Sequence, residues 1–350
     1  MASLIDVSSL TINEQEVKEG LAQAIIEQAF VQGALAEDHE IETGVEYKTQ
    51  IPFIGEMADS LKASSGCVPN AGGGIALSEK FWDPKAFDSR WEHCAADMNG
   101  LFKLFKKAKK MNPDFYDRIS SDELGIIYTM IDRMMIDKLP KKVWFSDVAA
   151  AIQPAGAFTT GTDLDLFNVI DGLFKQIFAD VAIPRVTITE NAGVSYAAQS
   201  LGVDAAYGYF EEMVEKADSR LLDDMNAVIY CTRSMADNYR KTLRNKTLGA
   251  GFIEITEGGK TTLKFDGYEV RVKSEWDRTI KADQDNGTVW NLPHRFVFTT
   301  KENIPVATLS SDDLTKLDSF YDQYRKSNVT DVVFTLDAKH LESYRTVAGY

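Results

Sequence analysis

The sequence predicts a protein of mixed helices and strands in at least two lobes, and three stretches carry that expectation. The first runs from Leu222 to Lys273. It holds an apolar run, Asn226 to Cys231, then a helical segment with Met235, Tyr239 and Leu243 on one face. Strands follow at Gly251 to Thr256, Thr261 to Phe265 and Tyr268 to Val272. In the last, Tyr268, Val270 and Val272 alternate with Glu269 and Arg271 directly after Asp266-Gly267, and period-two alternation beside Asp-Gly marks a hairpin. The second stretch is Ser120 to Pro140. Ser120 and Glu123 form a capping box, Leu124, Ile127, Tyr128, Ile131, Met134 and Met135 repeat at helical spacing, and Pro140 is expected to stop the helix. The third is a pair of alternating runs, Val45 to Phe53 and Ile75 to Phe81, joined by an insert of small residues. Inserts of that length inside a compact domain are usually functional or mobile. At 350 residues the chain is also too long for one ordinary core.

Taken in order, Thr11 to Phe30 reads as an amphipathic helix with Val17, Leu21 and Ile25 on one stripe and N-cap candidates Ser8, Ser9, Thr11 and Asn13 ahead of it. The acidic run Glu37 to Glu40 closes that segment. Pro52 makes the first alternating run an edge strand. Lys80 to Cys94 holds two tryptophans, a proline and the adjacent pair His93 and Cys94. Adjacent residues do not easily chelate one ion and no Cys-x-x-Cys accompanies them, so packing is favoured over a metal. Met98 to Lys110 is a helix whose Lys103, Lys106, Lys107, Lys109 and Lys110 form the one basic cluster of the chain. Asp163 caps a helix bearing Phe167, Ile170, Phe174, Ile177 and Phe178, and Pro184 ends that lobe. Asp204 caps another, with Tyr207, Phe210, Val214, Ala217 and Leu221 inward. Its acidic side, Glu211, Glu212, Glu215 and Asp218, reads as a solvated face before it reads as a metal or acid–base cluster. Ala282 to Gly287 is a turn and not a calcium loop, because the glycine is misplaced and His294 stands where the bidentate Glu belongs. Arg295 to Thr300 is a strand, 312–326 a helix with Leu314, Leu317, Tyr321 and Tyr324 on one face, and Asp331 to Leu336 a final strand.

Composition narrows the function. A net charge of -15 opposes chain-wide nucleic-acid binding, which draws its affinity from displaced counterions. It also opposes close self-packing, so any assembly must offset the repulsion by apolar burial and paired charges. Three dispersed cysteines, Cys67, Cys94 and Cys231, fit free thiols in a reducing cytosol. No run approaches the roughly 18–20 apolar residues of a membrane span, and Met1 to Asp6 lacks the basic start of a secretory signal. No P-loop, Gly-x-Ser-x-Gly elbow or Gly-x-Gly-x-x-Gly is present, and His39, His93, His294 and His340 are scattered. The sequence therefore nominates no catalytic residue, no metal and no cofactor.

The order strand, helix, Gly-rich hairpin carrying Phe265-Asp-Gly-Tyr-Glu-Val-Arg-Val272 resembles the A-domain core of the major capsid proteins of tailed bacteriophages, the Hong Kong-97-type fold. Lys80 to Cys94 is similar to the segment that leaves the E-loop in that family, and His294 to Ile304 resembles the return from the A-domain to the P-domain. The resemblance spans about Val45 to Thr308, through element order more than through specific residues. It implies an α+β fold with an N-terminal arm (1–44), an extended E-loop hairpin and exit segment (45–95), a long-helix P-domain (96–180) and a mixed α/β A-domain (181–294). Residues 295–350 would return to the P-domain and add a C-terminal helix and strand, the helix having no family counterpart.

It further implies a structural protein, not an enzyme, that self-assembles into hexamers and pentamers of an icosahedral head around phage DNA. Ser64, Ser65, Gly66, Asn70, Gly72, Gly73 and Gly74 would form the E-loop tip that contacts a neighbour. The lysine cluster would be a solvated face, or face packaged DNA or an acidic patch on another subunit. Partners would be further copies, with portal, scaffold and decoration proteins, and DNA only through weak non-specific contact; no membrane is involved. The location would be the virion, after synthesis in the host bacterial cytoplasm. Some family members cross-link an E-loop lysine to a neighbour's asparagine; Lys48 and Lys62 lie in the region and nothing distinguishes them. Two other readings stand beside this one: an encapsulin-like nanocompartment shell on the same fold, and a soluble two-lobe enzyme using the acidic residues of 211–224 in a cleft.

Overall fold

The computed structural model describes residues 34–45, 47–51, 80–94, 134–135, 137–245, 253–255, 261–308, 316–322, 324–325 and 327–350. In chain order its elements are α1 (Ala34–Asp38), β1 (Ile41–Glu42), β2 (Lys85–Cys94), α2 (137–145), α3 (Leu173–Ala179), β3 (Arg185–Val186), α4 (Ala205–Lys216), α5 (Ser219–Leu222), β4 (Ala227–Cys231) and α6 (Arg233–Asn245). There follow β5 (Ile253–Ile255), β6 (Thr261–Phe265), β7 (Tyr268–Val272), α7 (Ser274–Asp283), β8 (Phe296–Thr300), β9 (Val306–Ala307), β10 (Lys316–Asp322), β11 (Ser327–Ala338) and β12 (Thr346–Gly349).

Asp266 and Gly267 both take positive φ, 47° and 90°, the sense of twist that a two-residue hairpin loop needs, and β6 and β7 pair antiparallel across them. This hairpin sits in a seven-stranded sheet of order β3-β12-β8-β4-β7-β6-β5. β4 lies parallel to β7, with α6 as the crossover between them, and antiparallel to β8. The first sheet face packs on α4 and α6: Phe210, Met213, Met235 and Tyr239 meet Ile229, Leu263, Phe265, Val270, Phe296 and Phe298. Asp204 precedes α4 as expected but with φ 61° and no capping side-chain bond; Asn238 supplies it, accepting from Ala206 N at 3.0 Å. The opposite face, carrying Val228, Tyr230 and Val297, packs on α2, α3 and α7.

A second sheet runs β1-β9-β11-β10, with β2 also paired to β11. β2 and β11 stay in antiparallel register from Lys85↔Leu336 to Cys94↔Ser327. Here the expected helix over 312–326 is corrected: Lys316–Asp322 is a strand, antiparallel to β11 from Lys316↔Val333 to Asp322↔Ser327, with a turn at Tyr324 and Arg325. Leu317, Leu314, Tyr321 and Tyr324 do fit a helical face, but Phe320 and Tyr321 are equally good strand residues. Pairing along the full length of a neighbouring strand outweighs so weak a local preference.

Two other expectations shift. Pro140 does not stop its helix; α2 continues through it to residue 145. An interior proline costs about 3 kcal/mol. Val143, Trp144 and Phe145, all buried beyond the usual breaking point, more than offset it. The helix expected after Asp163 is divided into a 3-10 turn, Leu164–Leu166, and α3. Gly172 separates them, and a Cβ there would lie 2.9 Å from Ser146 N, Ser146 O and Val143 O. The chain can cross the end of α2 so closely only without a side chain.

Candidate intersubunit site

The strands β6 and β7 alternate, so the residues left over by the packed face all point the other way. Thr262, Lys264, Glu269 and Arg271 form this second face, with Lys264 opposite Glu269 in register and Tyr230 opposite Arg271. Among the described residues the short helix α1 reaches it, at Arg271. Together with residues 36–43 this face walls a groove of about 1100 Å³, also lined by Met225, Lys301 and Glu302. Met225 stands at its edge 97% exposed.

Buried charge holds the N-terminal wall of the groove in place. The Asp38 carboxylate contacts Lys273 Nζ, and Arg271 Nη1 approaches its other oxygen at 3.3 Å. Arg271 also donates to Glu37 O at 2.8 Å and makes a two-point contact with Glu269, both at 3.0 Å. Tyr230 donates its hydroxyl to Asp38 O at 3.0 Å, and burial pushes that phenol up to about 12. His39 donates from Nδ1 to Ile304 O at 2.8 Å, and burial pulls its pKa down to about 4. Burial also lowers the Lys273 pKa, against the opposing pull of Glu275 and Glu37. Removing one partner of such a pair leaves an uncompensated charge. Lys273→Met is therefore expected to cost about 3 kcal/mol, the lower end of that class because Arg271 still faces Asp38. Denaturant unfolding reads the loss, and Asp38→Asn added to Lys273→Met should lose less than the sum of the single changes.

Beside this wall lies the base of the long insert. Lys48 N donates to Trp82 O, Ile51 N to Lys80 O and Trp82 N to Thr49 O, each at 2.9 Å, and Gln50 bridges Phe81 antiparallel. Where they are described, the two alternating runs meet at this single bridge beside a turn at Tyr47 and Lys48, and neither forms a regular strand there. Trp82 is fully buried and donates Nε1 to Glu42 Oε2 at 3.0 Å, which ties the insert's base to β1. Lys80 Nζ caps His340 O and Leu341 O at 2.6 Å each, and Asp337 Oδ2 accepts from Asp83 N at 2.7 Å. The tip residues Ser64, Ser65, Gly66, Asn70, Gly72, Gly73 and Gly74, and the cluster Lys103, Lys106, Lys107, Lys109 and Lys110, lie outside the described residues, as do Lys62, the 11–30 helix and the side chains of His93 and Cys94.

The acidic side of α4 behaves as a wet face, with Glu212 paired to Lys216 at 2.7 Å; Asp218, expected on the same helix, instead caps α5 and pairs with Arg220 at 2.8 Å. One Ser–His contact escaped the sequence, Ser234 Oγ to His294 Nδ1 at 2.7 Å. The other ring nitrogen faces the carbonyl of Gln199 at 2.5 Å where a hydrolase would place a carboxylate, and the imidazole is buried. Neither residue lines the groove. Among the described residues there is no His/Cys/Asp/Glu group able to hold a metal, and no helix long and apolar enough to cross a membrane.

No family model matches the sequence, and no curated protein matches it. Solved structures do. A chain of a satellite phage P4 procapsid that includes the size determination (Sid) protein aligns at 11% identity over 97% of this chain and 91% of its own, with TM-score 0.58. The capsid of an empty GTA particle aligns at 9% identity over 91% of this chain and 89% of its own, TM-score 0.51. The capsid of a native GTA particle aligns at 7% identity over 100% and 94%, TM-score 0.50. At such identities the shared property is the fold. The α+β fold of this chain, with its seven-stranded sheet, is the fold shared with these phage and GTA capsid chains.

Proposed function

We propose that this chain is a major capsid protein, whose copies form the hexamers and pentamers of an icosahedral head that encloses phage DNA. One observation carries the reading: α1–β1 and the base of the insert are locked to each other through Glu42 and Trp82, beside an open polar groove. The segments that continue from these anchors, 1–33 and 52–79, lie in the parts read as N-terminal arm (1–44) and E-loop (45–95). The remaining parts are a P-domain (96–180), an A-domain (181–294) and a return segment (295–350). In this reading the arm and loop reach adjoining copies, and each copy receives those of another. Contacts that close into rings can then tile a shell. Function is mechanical, with no catalytic residue. Portal, scaffold and decoration proteins are further partners, and the lysines of 103–110 make a local contact with DNA or with an acidic patch of a neighbour. The head is the location, after synthesis in the bacterial cytoplasm.

The test is deletion of residues 60–74. The expected product is a folded subunit with unchanged secondary structure that no longer assembles, read by sedimentation. Particles of wild-type size from that variant would remove the clasp role. A nanocompartment shell would share the assembly defect and differ in its cargo, protein in place of nuclease-protected DNA.

A further inference from the structure

Arg295 begins the strand segment that enters β8 and is buried, 2% exposed. Its Nε donates to Leu292 O, and its Nη2 to Gln284 Oε1 and Asn291 O, each at 2.8 Å. All three acceptors are neutral, and no carboxylate pairs with this guanidinium among the described residues. Burial pulls its pKa down to about 9, so it is still a cation at neutral pH. The rings of Phe174, Phe145 and Phe178 stand 4.9, 5.3 and 5.8 Å from the guanidinium carbon, where they offer cation–π attraction but no counter-charge. A cation withdrawn from water and left with neutral partners bears a desolvation cost that an anion would relieve.

The surroundings are arranged to admit one. Arg295 lines a cavity of about 330 Å³, and its Nη1 makes no hydrogen bond to any described residue. Ser146 lines the same cavity, and its hydroxyl is buried with no partner among the described residues. Lys175 and Asp147, also on the wall, neutralise each other at 3.1 Å. One buried positive charge therefore remains, with a spare guanidinium N–H, a spare hydroxyl and aromatic walls. We propose that this cavity binds a carboxylate, with Arg295 and Ser146 donating to its oxygens and the carbon part lying against Phe174 and Phe178. The volume suits a small acid or an acidic side chain and excludes a folded segment. Two sources share that chemistry, a free small carboxylic acid and an Asp or Glu of a second copy; only the second rests on the shell reading. The chain's surplus of 53 acidic over 38 basic residues gives a neighbouring copy ample supply.

Thermal unfolding of the isolated subunit at pH 7, titrated with sodium acetate against sodium chloride at matched ionic strength, tests the site. Acetate should raise the midpoint saturably and chloride should not. Ser146→Ala, which removes only an unpartnered hydroxyl, should fold normally and bind acetate about tenfold more weakly. Equal shifts with the two salts, or unaltered acetate affinity in Ser146→Ala, would overturn the proposal. Given subunit binding, the assembled particle then assigns the source. Loss of the acetate response there points to a neighbour's side chain already in place, and retention points to a free acid.

Discussion

Trp144→Ala is expected to lower the stability of the subunit by about 3–5 kcal/mol, the cost of emptying a fully packed aromatic site. Trp144 is 1% exposed and lies where five elements meet. Its ring centroid is 4.7 Å from Trp276 on α7, 5.2 Å from Phe174 on α3, 6.1 Å from Tyr230 on β4 and 5.6 Å from His39 at the end of α1. Each partner also packs elsewhere, Phe174 on Trp276 at 4.7 Å for example, so the surroundings cannot collapse into the space without losing contacts of their own. The change should also loosen α1, since His39 packs against the same ring in a tilted arrangement. Urea unfolding measures the first effect, and hydrogen exchange at Ala36 to Ile41 the second. A loss below about 1 kcal/mol would mean that α2 is not the hub of this core.

Acidification should destabilise the subunit well above the carboxylate range. His39 and His340 are both buried and held to about 4, in each case chiefly by desolvation, with Lys301 and Lys80 respectively adding repulsion. His340 Nε2 meets Thr346 Oγ1 at 2.9 Å, so both rings are engaged in their neutral form. The unfolded chain takes up a proton near pH 6.5 that the folded site refuses until about pH 4. Stability is therefore complete above pH 6.5 and falls as pH drops through that window, by about 2 kcal/mol per histidine between pH 7 and pH 5. Asp277 and Asp337, whose carboxyls burial pushes up, act in the opposite direction. Denaturant unfolding at pH 7 and pH 5 should show the loss, and His340→Gln should lose about 2 kcal/mol less than the parent between the two. An identical pH dependence in parent and variant would place the histidine outside the linkage.

The sheet and its hairpin were legible in the sequence because local and global preferences agree there. Asp266-Gly267 sets the turn, alternation sets the buried face, and Met235, Tyr239 and Leu243 set the covering side of α6. Elsewhere the tertiary structure overrides the local pattern. Residues 316–322 spell a tolerable helix until β11 offers a partner strand along their length. Pro140 is an obvious breaker until the burial around Trp144 is counted. The site was less legible. The expected tip glycines and lysine cluster lie outside the described residues. What the structure adds is an anchor made of residues far apart in sequence, Asp38 with Lys273 and Glu42 with Trp82, and no local motif announces such pairs. Arg295 likewise reads as one more strand residue until its burial and lack of a carboxylate are seen together.

The central claim, that other copies of this chain complete what each one leaves open, is tested most directly by the size of the purified material. Light scattering and electron imaging of the full chain, expressed alone and with its partners, should find closed megadalton particles or five- and six-membered rings. A folded chain that stays monomeric at every concentration, with the groove between residues 36–43 and β7 unoccupied by another copy, would contradict the account.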